Sequence, residues 1–126
     1  MNNNELSVLL VEDNPINRRI AEFYLKSLGH QYDVATNGEI AIDKFSENHY
    51  DLIIMDVSMP IMDGIEATKK IREIEEKANT SNKTKIFALT SNEYESCETE
   101  CYEAGMDKFK QKPVTIDEFS EYLSIS

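Results

Sequence analysis

Short apolar runs punctuate the chain, and each stops on a residue able to do chemistry. Val8-Leu9-Leu10-Val11 ends on Glu12-Asp13, Leu52-Ile53-Ile54-Met55 on Asp56, and Ile86-Phe87-Ala88-Leu89 on Thr90. A shorter segment around Phe109 leads into Lys112-Pro113, and another spans Tyr32 to Ala35. Unbroken apolar runs of this length predict strands covered on both faces. Helix-length periodic segments lie between them, so the pattern is one of repeated βαβ units and a parallel sheet.

The helices carry their own punctuation. Asn14-Pro15 opens the first, with a capping side chain and then proline at the first helical position. Ile16, Ile20, Phe23 and Tyr24 form its predicted apolar stripe, and Gly29 stops it. Asn37 caps a second helix bearing Ile40, Ala41 and Phe45. The turn Met59-Pro60…Asp63-Gly64 leads into a third, with Ala67, Ile71 and Ile74 on one face. The polar stretch from Glu75 to Lys85 reads as a loop or a frayed helix end. In the fourth helix Cys97, Cys101 and Ala104 make a thin stripe among Glu93, Glu95, Glu98, Glu100 and Glu103. Thr115…Glu118 is a capping box that starts a fifth, burying Ile116, Phe119 and Leu123.

Composition narrows the class. At 126 residues the chain fits one domain, residues 1–126, with one core. Thirteen basic against 24 acidic residues give a formal charge of −11, which argues against direct nucleic-acid binding and favours divalent cations and basic partner surfaces. No apolar run approaches the roughly 18–20 residues of a membrane span. Met1-Asn2-Asn3-Asn4 does not resemble a signal peptide, so a cytoplasmic domain without membrane contact is expected. Cys97 and Cys101 read as free thiols, which fits a reducing compartment, and neither His30 nor His49 is assigned a ligand role.

Strands of one parallel sheet end on one side, where open α/β sheets bind their ligands. Glu12, Asp13, Asp56, Thr90 and Lys112 should therefore converge on one small site for a divalent cation and a phosphoryl group. A carboxylate nucleophile and a phosphoryl dianion repel each other. Mg²⁺, a hard cation that prefers oxygen ligands, removes that repulsion. Glu12, Asp13 and Asp56 supply charge and ligation, and the Ser58 carbonyl can add a ligand. Lys112 offers a point charge and Thr90 a hydroxyl donor to the phosphoryl oxygens. Phosphoryl transfer asks for little beyond in-line positioning and charge stabilisation.

Over nearly its whole length the chain resembles the response-regulator receiver domains of two-component signalling. Val11-Glu12-Asp13-Asn14, the run from Met55-Asp56 through Met59-Pro60 to Asp63-Gly64, Ala88-Leu89-Thr90, Ala104-Gly105-Met106-Asp107 and Lys112-Pro113 carry the resemblance. It implies a flavodoxin-like, doubly wound five-stranded parallel sheet of order 2-1-3-4-5 with five helices. It also implies Mg²⁺-dependent transfer of a phosphoryl group to Asp56 from a phosphohistidine on a sensor histidine kinase or a histidine phosphotransfer protein. By position Glu12 and Asp13 become the acidic pair, Lys112 the motif lysine, Thr90 the switch hydroxyl and Phe109 the switch aromatic. Asp13-Asn14-Pro15-Ile16-Asn17 is similar to receivers attached to hybrid sensor kinases.

Two departures from the family pattern stand out. Ser91 occupies a position usually held by Ala or Gly, and the fourth helix is unusually acidic. With Glu118 and Glu121 that helix presents either a solvated acidic face or a surface selecting a basic partner. Three rival functions fare worse. A phosphatase of haloacid dehalogenase type needs a second acid where Ser58 stands. A flavodoxin needs a phosphate-cradling loop where Glu12-Asp13 would repel the phosphate. A phosphorylation-independent pseudo-receiver has no reason to keep Glu12, Asp13, Asp56, Thr90 and Lys112 together.

Overall fold

The computed structural model describes residues 6–56, 63–78, 83–90, 98–111 and 115–123. Strands β1 (Ser7–Val11), β2 (Gln31–Ala35), β3 (Leu52–Met55), β4 (Lys85–Thr90) and β5 (Lys108–Gln111) alternate with five helices. These are α1 (Pro15–Ser27), α2 (Gly38–Glu47), α3 (Gly64–Lys77), α4 (Glu98–Ala104) and α5 (Ile116–Tyr122). The strands form one sheet of order β2-β1-β3-β4-β5, and every pairing is parallel.

Side chains alternate across a strand, so each unbroken apolar run feeds two cores. Val8, Leu10, Leu52, Ile54, Phe87 and Leu89 point to one face, where Ala21 and Leu25 of α1 and Phe119 with Leu123 at the end of α5 cover them. Leu9, Val11, Ile53, Met55, Ile86 and Ala88 point to the other, under Ala41 of α2, Ala67 and Ile71 of α3, and Cys101 of α4. Burial on both faces explains why these strands do not alternate with polar residues.

Three sequence expectations need correction. The buried side of α1 is Ala21 and Leu25, whereas Ile16 is 70% exposed, Phe23 64% and Ile20 46%. Helix α1 therefore carries a second apolar stripe, facing outward. Helix α3 runs on to Lys77, so Glu75 lies within it and is buried, where a loop or a frayed helix end was expected. Ile116 is only half-buried, while Phe119 and Leu123 are buried as expected.

Glu75 is buried because it is partnered. Arg72 Nη1 lies 2.7 Å from Glu75 Oε1 and donates to the Thr84 carbonyl, while the backbone N–H of Thr84 donates to Glu75 Oε2. The same guanidinium donates twice to the Gly105 carbonyl and pairs with Asp107, whose carboxylate accepts from the Ile86 N–H. One arginine thus ties α3 to the start of β4 and to the turn between α4 and β5. Gly105 sits at φ 115° with Arg72 Cγ 2.7 Å from where its Cβ would be, so both backbone and packing call for glycine.

Candidate functional site

Register builds the site. Val11 pairs with Met55, so the residues that follow, Glu12 and Asp56, emerge side by side at the carboxyl ends of β1 and β3. Both remain tied into the sheet. The Asp56 N–H donates to the Val11 carbonyl and the Glu12 N–H to the Ala35 carbonyl, each at 3.0 Å. This is also where chain order reverses, β2 lying on one side of β1 and β3 on the other, the switch point at which open α/β sheets form their binding crevice.

Glu12, Asp13 and Asp56 each offer a carboxylate oxygen, and these ligand atoms all lie within 4.8 Å of one another. Glu12 and Asp56 are buried and Asp13 is half-buried. Three oxygen donors of this hardness, converging and partly screened from water, are a donor set that suits a divalent cation such as Mg²⁺. Glu12 and Asp56 also line a cavity of about 180 Å³ whose other walls include Leu10, Ile20, Ala21, Tyr24, Ile54 and Phe119.

Local structure holds the acids in place. The Asn14 side chain caps α1, accepting from Ile16 N at 2.9 Å and Asn17 N at 3.0 Å, while the Asn14 backbone N–H donates to Glu12 Oε2 at 3.2 Å. Arg18 reaches back one turn to the carbonyls of Glu12 and Asp13, at 3.4 Å each. Asn14 was legible as a cap but not as a partner of Glu12. Arg18 carried no sequence signal, because its role depends on how α1 leaves the loop.

The remaining expected residues are placed less fully. Thr90 ends β4 on the same side of the sheet as Asp56, its side chain outside the described residues. Ser58 and Lys112 also lie outside the described residues, as do Ser91 and Cys97. Phe109 is on β5, half-buried against the core beneath α2, α3 and α4. His30 and His49 stand away from the acids, accepting from Leu6 N at 3.1 Å and lying 3.6 Å from Asp51 respectively. Cys101 is buried and is a thiol, not half of a disulfide. Among the described residues no helix is long and apolar enough to cross a membrane.

A doubly wound parallel sheet with carboxylates gathered at its switch point defines a class of α/β domains that bind ligands at the strand ends. Within that class the chain belongs to the response-regulator receiver domain family, whose model matches residues 8–124. It is 42% identical to Two-component response regulator 24 of Arabidopsis thaliana, over 96% of this chain and 81% of that protein. Histidine kinases of Arabidopsis thaliana, Escherichia coli and Oryza sativa also match, and the chain spans 12% to 15% of their length. Among solved structures it is similar to the receiver domain of the sensor histidine kinase PA1611 from Pseudomonas aeruginosa, which has a magnesium ion coordinated in its active-site cleft. That likeness has a TM-score of 0.81 at 34% identity and covers 94% of each chain. The receiver domain of Ssk1 from Saccharomyces cerevisiae, crystallised with the histidine phosphotransfer protein Ypd1, matches with a TM-score of 0.87 at 30% identity. There 94% of this chain and 86% of that one are covered.

Proposed function

We propose that residues 1–126 form a single cytoplasmic receiver domain that takes a phosphoryl group onto Asp56 with Mg²⁺ bound by Glu12, Asp13, Asp56 and the Ser58 carbonyl. The convergence of three carboxylates within 4.8 Å at the ends of β1 and β3 carries this reading. When bound, Mg²⁺ would neutralise the phosphoryl oxygens and the acids that face them. An Asp56 oxygen attacks phosphorus in line as the phosphorus–nitrogen bond of a phosphohistidine breaks, and the imidazole leaves with that electron pair and takes up a proton. Lys112 and Thr90 supply the ammonium and hydroxyl contacts to the transferred oxygens, and Phe109 follows Thr90 as the switch element. The domain catalyses only its own modification and its reversal.

The partner is a sensor histidine kinase or a histidine phosphotransfer protein, in keeping with the kinase relatives and with the Ypd1 complex of the Ssk1 receiver. A donor histidine must reach Asp56, so the donor protein has to cover the rim of the crevice. On one side that rim is α1, whose exposed Ile16, Ile20 and Phe23 form an apolar stripe at helical spacing.

Acetyl phosphate with Mg²⁺ should add one base-labile acyl phosphate to the protein, and Asp56→Asn should take none, since an amide oxygen is a poor nucleophile. Intact mass spectrometry reads both. Full modification of Asp56→Asn would overturn the assignment.

A further inference from the structure

Asp56 is held from two directions, and only one of them is the sheet. Its N–H is fixed to Val11 of β1, and its carbonyl faces the first residue of α3, Gly64. A Cβ at Gly64 would overlap the Asp56 carbonyl oxygen, and would lie 3.0 Å from the carbonyl carbon and 2.9 Å from Met55 Cγ. Gly64 is not among the glycines with positive φ, so its backbone would accept any residue and the requirement is one of space alone. We propose that Gly64 is a positioning residue: the missing side chain lets the start of α3 press against the Asp56 peptide and set the direction of its carboxylate. This inference rests on the proposed role of Asp56.

The geometry leaves a side chain at this position nowhere else to go. Helix α3 cannot retreat, because Ala67 and Ile71 are fully buried against the sheet. Strand β3 cannot yield either, being paired on both edges and buried throughout. The start of α3 is itself fixed, since the Asp63 side chain accepts from Glu66 N at 2.9 Å. Displacement would therefore fall on the Asp56 peptide, one bond from the carboxylate's own Cα. A small, near-octahedral cation tolerates little movement of its ligands, and an in-line attack tolerates little more.

The test compares Gly64→Ala with the parent and with Gly29→Ala. Gly29 has φ 83° and nothing within 4 Å of its would-be Cβ, so Gly29→Ala strains the backbone without reaching the site. Calorimetric titration with MgCl₂ gives the metal affinity, acetyl phosphate at saturating Mg²⁺ gives the modification rate, and urea unfolding gives stability. Gly64→Ala should weaken Mg²⁺ binding and slow modification by about ten-fold each, the scale expected when reacting groups shift by a fraction of an ångström. Gly29→Ala should lower stability and leave both constants at the parent's values. Should Gly64→Ala fail to fold, Asp63→Ala, which frees the start of α3, should bind Mg²⁺ more weakly than Asp63→Asn, which keeps the cap. Binding and rate within about two-fold of the parent in Gly64→Ala, or equal affinities for the two Asp63 variants, would overturn the proposal, two-fold being under 0.5 kcal/mol. A parent that neither binds Mg²⁺ nor takes phosphate would refute the function itself, and this inference with it.

Discussion

At the scale of single residues, the acid cluster is a trade between function and stability. Glu12, Asp13 and Asp56 share a space 4.8 Å across, and two of them are buried. Two unit charges about 5 Å apart repel by about 3 kcal/mol at an effective dielectric near 20. A bound divalent cation offsets that repulsion. Asp13→Ala should therefore lower Mg²⁺ affinity by at least about ten-fold while raising the stability of the metal-free protein by about 1–2 kcal/mol. Adding Mg²⁺ should stabilise the parent and not the variant, since a ligand stabilises only the state that binds it. Thermal melts with and without MgCl₂ check all three.

At the scale of elements, α1 works on both sides. Ala21 and Leu25 fasten it to the sheet, while Ile16, Ile20 and Phe23 are exposed. If that outward stripe receives the donor protein, Phe23→Asp should slow transfer from a phosphohistidine protein by about 10-fold or more, one charge in an apolar contact costing 1–3 kcal/mol. Its modification by acetyl phosphate should stay at the parent's rate, which separates docking from chemistry. Helix α5 depends on its capping box. Thr115 Oγ1 accepts from Glu118 N at 3.1 Å and Glu118 accepts from Thr115 N at 2.9 Å, so Thr115→Ala should cost about 1 kcal/mol. That backbone hydrogen bond, with a smaller contribution from Lys110, holds the Glu118 carboxyl below its usual range. A depressed carboxyl stabilises the fold above its unfolded value and loses that contribution as pH falls through its folded value. The stability gap between parent and Glu118→Ala should accordingly be full at pH 7 and shrink as the pH drops below about 4.

At the scale of the whole molecule, the end of the sheet remote from the acids is held by Arg72. It bridges α3, the entry to β4 and the turn into β5, and Glu75 is only 2% exposed beside it. Removing one partner leaves the other buried and unpaired. Arg72→Ala should cost about 3–5 kcal/mol, and replacing both charges, as in Arg72→Met with Glu75→Leu, should recover much of that loss. Urea unfolding of the single and double variants measures the coupling.

The sequence by itself determined the five strands, the caps at Asn14, Asn37 and Thr115, and the acids at the strand ends, because periodicity and capping are local properties of the chain. The motifs also placed Glu12, Asp13 and Asp56 in one site, and the register of β1 against β3 puts them there. Tertiary structure decided what the local pattern left degenerate. The residues of α1 offered two apolar stripes, and only packing against Phe119 and the sheet chose Ala21 and Leu25 over Ile16 and Ile20. Glu75 read as part of a polar loop or frayed helix end because its partners Arg72 and Thr84 are brought to it by folding, and a buried charge is invisible until its counter-charge is placed. Gly64 read as an ordinary turn glycine. Its closeness to the Asp56 carbonyl exists only once α3 is docked, since close approach between distant segments leaves no local signature.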